Sequence, residues 1–173
     1  GLPKSAAMVV DEIMQKAIAE KNTPQAIKAL IFQADYKMVI DSDDDIYIFD
    51  NLIEMIDVST DVVEQSVLHS MLGELYLSYY QGNSWQIDQR TELGDFIPED
   101  MKEWTRNIFY NKTVEHLNAS VQEQKELLES DVESYKAVVT LGKSSRILFP
   151  TMYDFLSQRR IENFRDLQSD KDL

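Results

Sequence analysis

Three observations predict an all-α fold: apolar residues recur every three or four positions along most of the chain, alternating β-branched runs are scarce, and there are only five glycines and four prolines. The 173 residues fit one all-α module spanning 1–173, long enough to bury a real core. An apolar share of 43%, with 10% aromatics, is the composition of a globular protein.

The first helix is predicted over about residues 3–21, with Val10, Ile13, Met14, Ala17 and Ile18 as its buried stripe. In "NTPQ", Thr23 is placed to cap a second helix and Pro24 suits its first position, where a missing amide hydrogen costs little. That helix carries Ile27, Leu30, Ile31, Ala34 and Met38, so the two read as a helical hairpin. The acidic run "DSDDD", residues 41–45, precedes a third helix bearing Ile46, Phe49, Ile53 and Ile56.

A fourth helix begins near "STDVVE", where Asp61 and Glu64 have capping-box spacing, and runs to about Gln81 with Gly82 as its stop. Its broad stripe of Val63, Val67, Met71, Leu72, Leu75, Tyr76 and Tyr79 marks it as central. A loop of about 16 residues follows over 83–98, and Trp85, Ile87, Phe96 and Ile97 are expected to hold it down. "EDMKEWTRNIFYNKTVEHLN" reads as a fifth helix, "VQEQKELLES" and "VESYKAVVT" as one or two more, and the last starts at Thr151. About seven helices joined by short turns point to antiparallel hairpins in a tetratricopeptide-like array, although the strict repeat pattern is absent.

Seventeen basic against 31 acidic residues give a formal charge of −14, the wrong sign for nucleic acid or an anionic lipid surface. With no cysteine, this segment holds neither a disulfide nor a thiolate site. No apolar run reaches the about 20 residues needed to span a bilayer.

Each cluster with chemical potential also has a plainer reading. Asp41, Asp43 and Asp45 alternate like the start of a calcium loop, but Ile46 and Leu52 occupy the positions where that loop needs glycine and glutamate. The run therefore reads as capping the third helix. The only histidines, His69 and His116, lack a second histidine at helical metal-site spacing. Neighbouring helical residues point about 100° apart, so His69 and Ser70 do not make a base and nucleophile. Glu64, Glu74, Asp100, Glu103 and Glu115 read as a solvated face, and no catalytic, cofactor or metal residue is assigned.

Tyr76, Tyr79, Tyr80 and Trp85 form the one aromatic concentration. Core packing is their plainer reading, and they are also the candidate partner surface. In "LFPTMYDFLSQRRIENF", Pro150 stops helix in the preceding residue, Thr151 can cap, and Asp154 meets the free amides of the first turn. Met152, Tyr153, Leu156, Phe164 and Leu167 share a face. Arg159 must lay its stem across that face and find a carboxylate or carbonyl, so Arg159, Tyr153 and Asp154 are read as structural.

"FPTMYDFLSQRRIENF" also resembles the "RPTLYDFLAHRALDFF" type of segment in the N-terminal helical region of large alpha-2-macroglobulin-like proteins of Bacteroidetes. "VLHSMLGELYLSYYQGNSWQIDQRTE", "NTPQAIKALIFQ" and "GLPKSAAMVVDEI" fit the same region in order. Phe149, Arg160 and Asn163 depart from the usual residues. The resemblance implies a fragment of a much larger envelope protein, extracytoplasmic, periplasmic or anchored to the outer membrane, that entraps proteases. This piece would be its noncatalytic scaffold, meeting the rest of the parent or another protein, and any thioester would lie elsewhere. The alternative is a stand-alone tetratricopeptide-like adaptor with a peptide groove lined by Tyr76, Tyr79 or Tyr80.

Overall fold

The computed structural model describes residues 2–20, 22, 25–29, 46–92, 94–135 and 149–171. The helices are α1 (Leu2–Ala19), α2 (described over 25–29), α3 (Tyr47–Val58), α4 (Val62–Ile87), α5 (Arg106–Ala119), α6 (Gln124–Glu129) and α7 (Met152–Lys171). Two 3-10 turns lie at Met101–Glu103 and Val132–Tyr135. The chain is all-helical: among the described residues the only extended pairing is one antiparallel bridge, Asp131 to Thr151.

Helix α4 is the centre, packed against α3, α5, α6 and α7. It starts where the Asp61 carboxylate accepts the Glu64 amide at 2.9 Å, while the Asp61 amide donates to Ser59 Oγ at 3.2 Å. These bonds satisfy two donors at a helix start that has no partners of its own there. Against expectation the helix passes through Gly82 and ends at Ile87. Among the described residues the glycine with a left-handed backbone is Gly94, with φ 64°. Ile87 is fully buried, so continuing the helix brings an apolar side chain into the core.

The partner of α4 is α5, and they run antiparallel: Tyr80 meets Tyr110 with ring centroids 5.1 Å apart, Gly73 faces Leu117, and His69 meets His116. The close point of the pair is Gly73, which faces Leu117; Ser66 and Ser70 on α4 and Thr113 and Ser120 on α5 are small residues that are also buried. Small side chains let the two backbones approach closely. A Cβ added at Gly73 would lie 2.9 Å from Leu117 Cγ and 3.2 Å from the Leu117 backbone nitrogen.

Other elements depart from the sequence reading in detail. On α1, Ala17 is buried and Met14 packs on the core, whereas Ile13 is exposed together with Met8 and Val9. The cap of α2 is Asn22, whose Oδ1 accepts the Gln25 amide at 3.3 Å and whose carbonyl accepts the Ala26 amide. Thr23 and Pro24 lie outside the described residues, as do Leu30, Ile31, Ala34 and Met38. Helix α3 buries Phe49 and Leu52 and exposes Ile53, so its inner stripe is rotated from the expected one. Ile46 takes its N-cap position and offers no capping group; Asp41, Asp43 and Asp45 lie outside the described residues.

The expected fifth helix is broken. Trp104 and Thr105 are extended between the 3-10 turn and α5, because the Trp104 indole donates to the Pro98 carbonyl at 2.8 Å. That bond is incompatible with a continuous helix from Pro98. The end of α6 meets the start of α7 where the Met152 amide donates to the Ser130 carbonyl at 2.9 Å.

Replacing Gly73 with alanine should destabilise the fold by about 1–3 kcal/mol, because crowding outweighs the gain in helix propensity. Gly82→Ala has open space within 4 Å and should stabilise by about 0.4–1 kcal/mol. Urea unfolding of both variants beside the parent measures the opposite signs.

Candidate functional site

The aromatic set chosen from the sequence divides in the structure. Tyr76 and Tyr80 are buried, Tyr79 is half-buried, and Trp85 is 78% exposed. Tyr76 lies among rings from α3, α5 and the segment before α5, with centroids at 4.9 Å to Phe49, 5.5 Å to Trp104 and 5.7 Å to His116. Burial first, then the charges of Glu115 and Asp50, pushes its hydroxyl up to about 12, so it stays protonated. Tyr76 and Tyr80 are therefore core residues and line no groove, which corrects their place on a partner surface. They are four positions apart on one helix, and their stripe faces inward for the same reason as Leu72 and Leu77.

The loop after α4 is held by polar bonds instead of the apolar side chains expected to pin it. Arg90 donates to the Trp104 carbonyl, and Thr105 Oγ1 donates to Glu92 at 2.9 Å. Arg106 Nε donates to the Tyr80 hydroxyl at 2.7 Å while its terminal nitrogen reaches Asp88 at 3.0 Å. Tyr80 OH in turn donates to Asp88 Oδ1 at 3.2 Å. Of the four residues expected to pack inward only Ile87 does; Phe96 is 65% and Ile97 52% exposed. Trp85, on the last turns of α4, and Phe96 and Ile97, in the loop that follows, are thus each exposed.

A second arrangement was invisible to helical spacing. His69 on α4 and His116 on α5, 47 residues apart, meet with Nδ1 to Nδ1 2.8 Å and stacked rings 5.0 Å between centroids. Only one proton fits between those nitrogens, so one ring donates from Nδ1 and the other accepts there. Burial holds His69 below its ordinary value of 6.5, opposed by Glu115. Burial, then the neighbouring His69, holds His116 down to about 4, with Glu115 opposing and Lys112 adding to the fall. Glu115 is itself held down by its bond to Lys112 at 2.9 Å. Among the described residues no third histidine, cysteine or carboxylate completes a metal-binding group with the pair. Ser70, beside His69, has its hydroxyl buried without a partner, so the two do not act together.

The C-terminal helix is joined to the others by its polar residues. Thr151 Oγ1 donates to Asp154 Oδ2 at 2.7 Å and accepts the Asp154 amide at 3.2 Å, closing the first turn of α7. Arg159 pairs with Glu74 of α4 and lies over the Phe155 ring at 5.9 Å. Arg160 donates to Asn118 of α5 at 2.7 Å, and Tyr153 packs on the core.

Comparison with protein-family models, curated proteins and solved structures returns no match. The chemistry of the site therefore rests on its own geometry: an outward apolar set beside a polar brace, and a neutral histidine pair inside the main helix contact. Among the described residues no helix is long and apolar enough to cross a membrane.

Both histidines bind protons less readily folded than unfolded, so stability present above pH 6.5 should fall as acid titrates the pair toward pH 4. Urea unfolding at stepped pH should show a steeper loss over that window in the parent than in His116→Gln. Equal slopes would mean that the pair does not carry the dependence.

Proposed function

We propose that this chain is a noncatalytic helical contact module of an alpha-2-macroglobulin-like protein of the cell envelope. The family assignment rests on the ordered resemblance of four stretches, above all "FPTMYDFLSQRRIENF". The parent would entrap proteases; this piece would space and dock its other domains, or hold another protein, from an extracytoplasmic position. Tetratricopeptide-like stacking of the helix pairs belongs to the same proposal.

One observation supports contact as the role: Trp85, Phe96 and Ile97 are held outward on a braced segment. Aromatic side chains such as tryptophan are enriched where proteins meet their partners. The adaptor reading required a groove lined by Tyr76, Tyr79 or Tyr80, and the burial of Tyr76 and Tyr80 removes two of its three walls.

The coding sequence flanking this chain should continue into β-sandwich domains with a cleavable bait segment. Those domains, purified, should bind the isolated module by calorimetry, and Trp85→Ala should weaken that binding about tenfold or more. An open reading frame that closes without such domains would refute the family assignment. Domains that are present but bind parent and variant alike would refute the docking role of Trp85.

A further inference from the structure

We propose that His69 and His116 form a two-coordinate site for one soft monovalent cation, copper(I), held between their Nδ1 atoms. Neither the contact-module reading nor the macroglobulin-like parent is needed for it.

The two rings come from α4 and α5, 47 residues apart, with Nδ1 to Nδ1 at 2.8 Å and ring centres 5.0 Å apart. Because the nitrogens are so much closer than the centres, the two Nδ1 atoms lie between the rings and face one another. Both residues are only half-buried, so an ion in solvent can reach the pair.

The donor set selects the ion. A neutral imidazole nitrogen is a metal ligand, and burial favours the neutral form of both rings. Among the described residues no third histidine, cysteine or carboxylate completes a metal-binding group. Zinc normally takes four ligands, and calcium and magnesium take oxygen, so two imidazoles alone serve these ions poorly. Copper binds imidazole well, and copper(I), with its filled d shell, is satisfied by two donors in line. Its single charge also fits the surroundings. The negative charge of Glu115 acts on both rings, and the Lys112 ammonium that would repel a cation is spent on the Glu115 carboxylate at 2.9 Å. With no cysteine in the chain, no thiolate competes for the ion.

Binding involves no electron transfer. The ring that donates from Nδ1 passes that proton through water to its own Nε2, and the other ring already carries its proton there. Both Nδ1 lone pairs then bind the ion, and the site gains one positive charge without releasing a proton. Two metal to nitrogen bonds of about 2 Å in line need nitrogens about 4 Å apart, so the rings must part by about 1 Å. Gly73 against Leu117 holds the helices together, which leaves that movement to the side chains.

The test titrates the whole chain with silver(I) nitrate in chloride-free buffer, silver(I) being the redox-stable ion of the same charge and preference. Calorimetry measures the binding, and long-range proton to nitrogen-15 spectra of the histidine rings report which nitrogen of each ring is protonated. One silver ion should bind, and both rings should then carry their proton on Nε2 with both Nδ1 signals shifted. His69→Gln and His116→Gln should each weaken binding about tenfold or more, and zinc(II) should bind at least about tenfold more weakly than silver. Met8→Leu, which removes an exposed thioether, should leave binding unchanged. Circular dichroism checks the fold of each variant, and where a histidine variant does not fold the ring spectra of the parent decide.

Absence of saturable silver binding to about 1 mM would overturn the proposal. So would silver binding that leaves the ring nitrogens of the parent unmoved, or equal binding by both folded histidine variants, either of which would place the ion on methionine. Zinc binding as tight as that of silver would refute a two-coordinate site.

Discussion

The close approach of α4 and α5 at Gly73 and Leu117 is the constraint on which the rest of the structure depends. With no side chain at Gly73, Leu117 and its backbone come near enough that a Cβ would collide. That approach sets the register of the pair. One register brings His69 to His116, Tyr80 to Tyr110 and Arg106, and Tyr76 into a nest of rings. The other helices use the pair as their floor: α3 through Phe49, α7 through Met152, Leu156 and the Arg159 to Glu74 contact.

The division between core and surface follows from that register. Tyr76 and Tyr80 fall on the stripe facing α5 and the rings around it, so their hydroxyls are either buried or tied to Asp88 and Arg106. Trp85 lies about 140° around the helix from Tyr80, away from the side that buries Tyr80 and Ile87, and faces water. The segment after it returns to the start of α5, tied by Arg90 to the Trp104 carbonyl, by Trp104 to the Pro98 carbonyl and by Thr105 to the Glu92 carboxylate. A loop pinned by polar bonds is free to turn Phe96 and Ile97 outward.

Helix existence was legible because the 3.6-residue period runs through most of the chain and survives without knowledge of tertiary contacts. The cap at Asp61 was legible for a similar reason, since a capping bond spans only three residues. Boundaries were less so. Gly82 is a weak stop, and only the burial of Ile87, a tertiary fact, carries the helix beyond it. Trp104 falls inside the expected fifth helix, but it is extended there and its indole bonds the Pro98 carbonyl. The His69 to His116 contact lay outside any local signal because it depends on an inter-helix register fixed by Gly73. The outward turn of Trp85 and Phe96 was misread because an aromatic in a long loop is as easily a staple as a contact.

Native-state hydrogen exchange, read amide by amide, tests the central claim most directly. If the α4 and α5 pair is the foundation, the amides of Leu72, Tyr76 and Leu77 on α4 and Phe109, Thr113 and Leu117 on α5 exchange last, with one shared opening free energy. Those of α1 and α3 exchange earlier. Slowest exchange in α7 or α3, or separate opening of α4 and α5, would contradict the account.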